Sequence, residues 1–255
     1  MNLARYFDAV IPWEKRLQRE MPLLEELARR AGGRVLVPAC GTGGHVVALA
    51  ERGFDVLGCD LDEDAVAIAR GKILAAANTI DAASGKAEVR LMDMTQAKEL
   101  GATYDCAFVL GNALPGMSAP GQLLAALAGV GAALRPGGLF LTQNLNYDLR
   151  WREKTRFFPV LAGQTEDEDV LLVKFADYDA EFVNFHAMFL ARPKAGGAWQ
   201  SYIRSSHQIS LFRDRMTEIL SQAGFSNLQC WGDFARTLFD PEESNDLIVV
   251  ASRPS

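Results

Sequence analysis

Two glycines and an aspartate in this sequence have the spacing of a ligand-binding site. Gly41 and Gly43 follow a short apolar segment, residues 34–38, and permit backbone conformations and a close ligand approach that a Cβ would prevent. Asp60 ends the next apolar segment, nineteen positions after Gly41, where a carboxylate can accept hydrogen bonds from both ribose hydroxyls. Together these residues predict a site for an adenosine compound.

The rest of the turn indicates which adenosine compound would bind. A dinucleotide fold places a third glycine three residues after the second, and Val46 stands there instead. The sequence also lacks a phosphate-binding Gly-x-x-x-x-Gly-Lys-Ser/Thr loop. The turn therefore favours a cofactor without phosphates, of which S-adenosylmethionine is the common one, and it disfavours a nicotinamide-dependent dehydrogenase.

Strand and helix patterns alternate over residues 34–146, which predicts a parallel sheet covered on both faces. Strands are predicted at 34–38, 54–59, 88–92, 105–110 and 139–143. Helices are predicted at 5–31, 44–52, 62–78 and 122–134. The carboxyl ends of such strands form the edge where ligands bind in open α/β sheets.

The pattern changes after Asn146. Residues 150–169 are charged and irregular, and extended segments follow near 170–175, 181–191 and 198–209. These segments predict an antiparallel hairpin layer inserted into the α/β chain. A helix that ends at Gly224 and two strands, 225–231 and 246–252, then return to the α/β pattern.

The composition limits the possible partners. A net charge of −6 and a sequence pI near 5.2 argue against a nucleic-acid surface, which needs clustered Lys and Arg. The four cysteines never form Cys-x-x-Cys, and the start of the chain is too polar for a signal peptide, so we expect a cytoplasmic protein without membrane spans. The three histidines offer no metal-ligand spacing, so no metal is expected.

Four short motifs carry a resemblance to a known family. They are Ala39-Cys40-Gly41-Thr42-Gly43, Leu110-Gly111-Asn112-Ala113, Asn146-Tyr147-Asp148 and Gly232-Asp233-Phe234. With this order of elements, the chain resembles the class I S-adenosylmethionine-dependent methyltransferases over nearly its whole length. Within that class it is similar to the glycine N-methyltransferase group and related bacterial small-molecule N-methyltransferases.

The resemblance implies a Rossmann-like α/β fold: a doubly wound, mostly parallel seven-stranded sheet whose last strand is antiparallel, with an inserted antiparallel β-hairpin layer. It also implies one methyltransferase domain over residues 1–255. Its parts would be an N-terminal helical lid at 1–33, a cofactor-binding core at 34–146, a β cap at 147–209 and closing elements at 210–255.

The resemblance further implies a set of cofactor-binding residues. They are Tyr6, Trp13, Arg16, Ala39, Gly41, Gly43, Asp60, Leu61, Asp93, Met94 and Leu110. By this resemblance Gly41 and Gly43 would pass under the methionine part of the cofactor, and Asp60 would hold its ribose. Leu61 would pack on the adenine, and Leu110 would lie along the cofactor at the mouth of the transfer site.

Two further parts of the cofactor site are implied in the same way. Asp93 would accept a hydrogen bond from the adenine amino group, with the Met94 backbone beside it. Tyr6, Trp13 and Arg16 match a lid that closes over the cofactor. Without the resemblance, Tyr6 and Trp13 are more simply explained as core aromatics of an amphipathic helix.

Candidates for contact with a small-molecule acceptor lie at two strand ends. Asn112, Asn146 and Tyr147 could orient an amine through its N–H groups, and the sequence has no triad that would indicate a covalent step. Arg150 and its neighbours Arg152 and Arg156 could pair with a substrate carboxylate, although a solvated face is favoured for at least two of the three.

The acceptor class stays open at this point. Many relatives have an acidic residue where this chain has Val37, followed by Pro38, and this variant resembles thiopurine-type methyltransferases. A thiol or oxygen acceptor is therefore an alternative to an amine. A third hypothesis is a non-catalytic cofactor-binding subunit, whose hairpin layer forms a homo-oligomer through its strand edges.

Overall fold

A computed structural model of the protein describes residues 2–179 and 181–255. Its core is a seven-stranded sheet. In chain order the strands are β1 (Arg34–Pro38), β2 (Asp55–Asp60), β3 (Lys86–Leu91), β4 (Tyr104–Val109), β5 (Leu134–Leu145), β10 (Ser226–Trp231) and β11 (Asp246–Ser252). Their order across the sheet is β10-β11-β5-β4-β1-β2-β3. Strands β1 to β5 pair in parallel, and β11 is antiparallel to both of its neighbours. The predicted fold class is confirmed.

Helices cover both faces of this sheet, as its continuous apolar strands require. In chain order the helices of the described residues are α1 (Leu3–Val10), α2 (Trp13–Ala31), α3 (Gly44–Ala50), α4 (Glu63–Ala75), α5 (Ala77–Ala83), α6 (Gln122–Ala133), α7 (Tyr147–Glu153) and α8 (Arg213–Gln222). Within β1, Val35 belongs to the apolar core on one face and Leu36 to the core on the other, and neither side chain is exposed to solvent. No helix in the described part of the chain is both long and apolar enough to span a membrane.

Two predicted helices are each divided in the structure. The single helix expected at 5–31 is α1 followed by α2, because Ile11 adopts an extended conformation before Pro12, as residues before proline generally do. The helix expected at 62–78 ends at Ala75, and α5 follows it directly. The first division matters for the site because it turns α1 and α2 into separate parts of the cavity wall.

The inserted layer has four strands rather than the three expected. They are β6 (Leu161–Gln164), β7 (Glu168–Asp179), β8 (Phe182–Pro193) and β9 (Gln200–Ile209), and adjacent strands pair antiparallel. Helix α7 and strand β6 lie in the stretch that was expected to be irregular. Strand β6 has little pattern of its own and forms by pairing with β7 and packing on α1, where Gly163 has no room for a Cβ beside the Ala9 carbonyl.

Candidate functional site

One large cavity lies between the carboxyl edge of the core sheet and the four-stranded cap. Its volume is about 840 Å³. The walls come from α1, α2, the turn after β1, the ends of β2, β4 and β5, α7, the start of β11, and cap strands β7, β8 and β9. Among the predicted site residues, those that line it are Trp13, Arg16, Ala39, Gly41, Asp60, Leu110 and Asn112.

Asp60 and Gly41 meet at one end of this cavity. The Gly41 N–H donates to Asp60 Oδ2 (2.7 Å), and the Asp62 N–H donates to Asp60 Oδ1 (2.9 Å). Each carboxylate oxygen therefore has one backbone donor and keeps acceptor capacity for a second. Gly41 has φ +54°, and a Cβ built there would meet nothing within 4 Å, so its missing side chain leaves open space beside the carboxylate.

The second glycine of the motif serves helix packing. Gly43 has φ +78°, and a Cβ there would lie 2.7 Å from the Ala69 Cβ. It therefore lets α3 pack closely on α4 and does not line the cavity. Ala39, which does line it, adopts φ +51°, an uncommon backbone conformation for a residue with a side chain.

The N-terminal helices reach this end of the cavity through Trp13 and Arg16. Trp13 packs on Gly44 and donates its Nε1–H to Asp8 Oδ1 (2.8 Å). Asp8 also accepts from the Thr42 hydroxyl and from Lys72, so α1 is tied to the glycine turn and to α4. The α1–α2 junction is thereby held against the Asp60 end of the cavity.

Tyr6 lies outside the cavity, although it belongs to the predicted lid. Its hydroxyl donates to Glu168 Oε2 (2.8 Å), and its buried ring packs beside Phe189 and Tyr202 of the cap. Tyr6 thus joins α1 to the four-stranded cap, which is the core-aromatic role considered above.

Three other predicted cofactor residues lie beyond the cavity lining. Leu61 is 64% exposed, and Met94 is buried in the helix-sheet core. Asp93 caps the short 3₁₀ helix Met94–Leu100: its Oδ1 accepts from the N–H of Thr95 (2.8 Å), and Gln96 completes a capping box. One oxygen of this carboxylate is therefore engaged by its own helix, and Oδ2 has no hydrogen bond among the described residues.

Two of the three predicted acceptor residues, Asn112 and Tyr147, form a hydrogen-bonded group with Gln208. The Asn112 Nδ2 donates to Tyr147 Oη (3.2 Å) and to Gln208 Oε1 (3.1 Å), and its Oδ1 accepts from the Leu145 N–H (3.0 Å). Tyr147 donates to the same Gln208 oxygen (2.9 Å), and burial raises the pKa of its hydroxyl. Asn112 and Gln208 line the cavity, whereas Tyr147 supports them from behind.

Asn146 is separated from this group. Its Oδ1 accepts from the Leu149 N–H (3.2 Å), which caps α7, and its Nδ2 donates to backbone carbonyls that include Ser244 O (2.8 Å). Asn146 therefore joins the start of α7 to the loop before β11, and it is absent from the cavity lining.

Comparison with known proteins agrees with this geometry. Residues 35–138, the part that contains the glycine turn and Asp60, match the family described as a methyltransferase domain. The chain is 24% identical over 247 residues to a glycine/sarcosine N-methyltransferase from Halorhodospira halochloris, covering 92% of this chain and 82% of that protein. The chain is a class I S-adenosylmethionine-dependent methyltransferase.

Solved structures of such enzymes share the fold. An S-adenosylmethionine-dependent methyltransferase from Clostridium acetobutylicum superposes with a TM-score of 0.74 at 13% identity, covering 92% of this chain and 90% of that one. The amino pentose methyltransferase CalS10 from Micromonospora echinaspora, solved with S-adenosylmethionine bound, gives a TM-score of 0.63 at 22% identity, with 92% and 91% covered.

The residues present fit this cofactor. Asp60 retains acceptor capacity for ribose hydroxyls, and the space that a Cβ would fill at Gly41 stays open beside it. Arg16 lies next to Gly111 at the end of β4, where a guanidinium can pair with a carboxylate. No trio of His, Cys, Asp or Glu within residues 2–179 and 181–255 is arranged to hold a metal ion.

A buried carboxylate that sequence reasoning missed stands behind Arg16. Glu20 is 1% exposed and binds Arg16 Nε (3.1 Å), Arg19 Nη2 (2.8 Å) and His45 Nε2 (2.7 Å). Burial opposes its ionisation, but the His45 hydrogen bond and the Arg16 charge lower the pKa of Glu20 to about 2. The four-residue spacing of Arg16 and Glu20 is a sequence signal for the first contact, whereas His45 lies 25 residues away.

In the described residues, two cations of the methyltransferase cavity have few close anionic or hydrogen-bond partners. Lys174 of β7 has no carboxylate within 4 Å in the residues the structure describes, and burial followed by the charge of Arg16 lowers its pKa. The Nε of Arg150 is buried without a hydrogen-bond partner, and its nearest carboxylate, Glu153, is 4.0 Å away. Both cations lie against the ring of Phe158, at 5.8 Å for Arg150 and 5.9 Å for Lys174.

Asp246 completes the cavity wall near Arg150. It is the first residue of β11, and its Oδ1 accepts from Gln143 Nε2 (2.8 Å). The Gln143 Oε1 in turn accepts from the Gly111 N–H (2.8 Å), directly after Leu110. Burial raises the pKa of Asp246. Neither Asp246 nor Lys174 belongs to a recognisable motif, so the sequence alone offered no signal for them.

Proposed function

We propose that the enzyme methylates the nitrogen of a small amine that also carries an acidic group. The observation that supports this most directly is that a single cavity contains both the Gly41–Asp60 pair and two cations, Arg150 and Lys174, that have hydrogen-bond donors to spare. A methyl donor and an acidic acceptor could then share one enclosed space.

The two cations support the acidic group of the acceptor. Lys174 has no carboxylate within 4 Å among the described residues, and the buried Nε of Arg150 has no hydrogen-bond partner. Burying such poorly compensated groups costs free energy. A carboxylate between Arg150 and Lys174 would remove this cost, and the planar guanidinium can bind it through two parallel hydrogen bonds. Arg152 and Arg156 are more exposed and pair with Glu242 and Asp177, so the acceptor role falls to Arg150.

The names of relatives support an amine as the nucleophile. One relative is called a glycine/sarcosine N-methyltransferase, and one solved neighbour is called an amino pentose methyltransferase. Acceptors of this kind bear a nitrogen, and glycine and sarcosine also bear a carboxylate. A thiol or oxygen acceptor, or a subunit without activity, remains a possible outcome of the experiment below.

The chain's own residues would bind and align the reactants. S-adenosylmethionine, when bound, supplies a methyl group on a sulfonium that is an excellent leaving group. Asp60 and Gly41 would hold it, with Arg16 beside its amino-acid part, while Arg150 and Lys174 would orient the acceptor. The cap strands would exclude water from the enclosed space, so that alignment rather than a covalent intermediate accounts for the rate.

An acceptor screen tests this function. The purified enzyme is incubated with S-adenosylmethionine and one of glycine, sarcosine, methylamine, an aminosugar, a thiol or a carboxylic acid without an amine, and methylated product is measured by mass spectrometry. We expect product from amino acids, and a KM for glycine at least about tenfold below that for methylamine, because one charge-assisted hydrogen bond contributes about 1.5–3 kcal/mol. Product from thiols alone, or cofactor binding without any turnover, would overturn the proposal.

A further inference from the structure

Asp246 differs from the other carboxylates that line the cavity. Both oxygens of Asp60 accept from backbone N–H groups, Asp62 caps α4 and pairs with an arginine, and Glu20 binds two arginines and a histidine. Asp246 has a partner for Oδ1 only, Gln143. Its Oδ2 has no hydrogen bond or ion pair with any residue in the described ranges.

The position of this oxygen is set by the sheet. Asp246 pairs with Leu145 at the carboxyl end of β5, and Gln143 links its side chain to the Gly111 backbone at the end of β4. Strand pairing and one bridging amide therefore hold the carboxylate on the same wall as Leu110 and near Arg150. A side chain fixed in this way can act on a ligand without first being reordered.

We propose that Asp246 is the proton acceptor for the amine, an inference that rests on the proposed function. Small aliphatic amines, with a pKa near that of lysine at about 10.4, arrive as ammonium ions at neutral pH and have no lone pair to donate. In the proposed step an ammonium N–H bond breaks, an O–H bond forms at Asp246 Oδ2, and the electron pair stays on nitrogen. The proton leaves to solvent after the methylated product departs.

The surroundings make this carboxylate a better base than an exposed one. Burial raises the pKa of Asp246, and Glu20 of α2 acts in the same direction. The Gln143 hydrogen bond from β5 and the charges of Arg19 in α2 and Arg150 in α7 oppose that rise. A base with a raised pKa takes a proton from an ammonium ion more readily than an ordinary aspartate does.

Proton counting tests the inference without methyl transfer. The best acceptor from the screen is titrated by calorimetry into the enzyme bound to S-adenosylhomocysteine. The titration is run in two buffers of different ionisation enthalpy at about pH 7.5, well below the pKa of the amine. The wild type is expected to bind the ammonium form and release no proton. Asp246→Asn keeps an oxygen for Gln143 but cannot accept the proton, so it should bind only the neutral amine and release about one proton per amine. Release of one proton by the wild type would overturn the inference.

The pH profile gives a second, kinetic readout. For the wild type, kcat/KM should be nearly constant between the pKa of Asp246 and that of the amine, because carboxylate and ammonium are the reacting forms. For Asp246→Asn it should rise about tenfold per pH unit up to the amine pKa, because only neutral amine reacts. Asp214→Asn, on an exposed helix end, serves as the control and should keep the wild-type profile.

The two proposals fail in different ways. Absence of turnover with every amine would refute the proposed function. Turnover by a wild type whose kcat/KM itself rises tenfold per pH unit would refute only the role of Asp246. An Asp246→Asn variant that folds, binds S-adenosylhomocysteine and keeps the flat profile would do the same.

Discussion

The two ends of the cavity are built in different ways. At the cofactor end, Gly41 and Asp60 belong to one continuous strand-turn-helix-strand segment, and the Asp60 carboxylate already accepts from the backbone N–H groups of Gly41 and Asp62. At the acceptor end, Arg150, Lys174 and Asp246 come from three elements far apart in the chain. Each keeps a charged-group N or O atom that has no hydrogen bond among the described residues.

This difference indicates how each end recognises its ligand. The cofactor end is preorganised by local backbone geometry, so it needs little rearrangement to bind adenosine. The acceptor end has charges whose desolvation is offset only when a complementary ligand arrives. Substitutions at one end should therefore change one affinity and leave the other unchanged.

Asp60→Ala should give the largest difference between the effect on cofactor affinity and the effect on acceptor affinity. We expect the Kd for S-adenosylmethionine to rise at least about 100-fold, because two charge-assisted hydrogen bonds of about 1.5–3 kcal/mol each are lost. Isothermal titration measures it. Asp55→Ala, at the half-exposed start of the same strand, is the control and should bind normally. An unchanged Kd in Asp60→Ala would contradict the assignment of this end to the cofactor.

Glu20→Gln tests the buried carboxylate behind Arg16. Removing this buried charge from its arginines should lower the free energy of unfolding by about 3 kcal/mol at pH 7. Urea denaturation measures the loss. Glu25→Gln, in a more exposed pair on the same helix, should cost less than about 1 kcal/mol. Equal losses in the two variants would show that the buried Glu20 charge contributes no more to the free energy of unfolding than a more exposed one.

The same carboxylate predicts a sensitivity to acid. Its pKa falls from 4.5 to about 2 on folding, so its contribution to stability is present above pH 4.5 and is lost as pH falls toward 2. His45 adds a loss below its ordinary pKa of 6.5, because burial lowers its pKa in the folded state. Denaturation curves across this range should show the wild type losing more stability between pH 4.5 and 2 than Glu20→Gln.

Lys174→Met should affect only the acceptor end. We expect the KM of an acid-bearing amine to rise about 10- to 100-fold, the equivalent of one charge-assisted hydrogen bond, with the cofactor Kd unchanged. Lys194→Met, in an exposed turn of the cap, is the matched control. If cofactor affinity fell as much as the KM rose, the two ends would not be independent.

The smallest effects concern the two glycines of the turn. Gly43→Ala should destabilise the fold by about 2 kcal/mol, since its Cβ would clash with Ala69. Gly41→Ala should cost only about 1 kcal/mol, for backbone strain, because its Cβ meets open space. Thermal denaturation compares them, and titration with the cofactor should then show that the Gly41 variant folds but binds weakly. A larger loss of stability from Gly41→Ala would reverse these roles.

The parallel sheet, the glycine turn and the pairing of that turn with Asp60 were predictable from the sequence. These features depend on short-range patterns: apolar segments, glycines at a turn and an acid at the end of the next strand. Pro12 also marks a helix boundary in the sequence, although residues 5–31 were expected to form one helix.

Which polar residues face the cavity, in contrast, depends on how distant elements pack together. Asp93 and Asn146 have residue types suited to ligand contact, yet both cap helices, and sequence cannot separate these uses because the same side chains serve both. Glu20 meets His45 across 25 residues, and Asp246 reaches the site by pairing with β5. Such contacts depend on how distant elements pack, which no local pattern records.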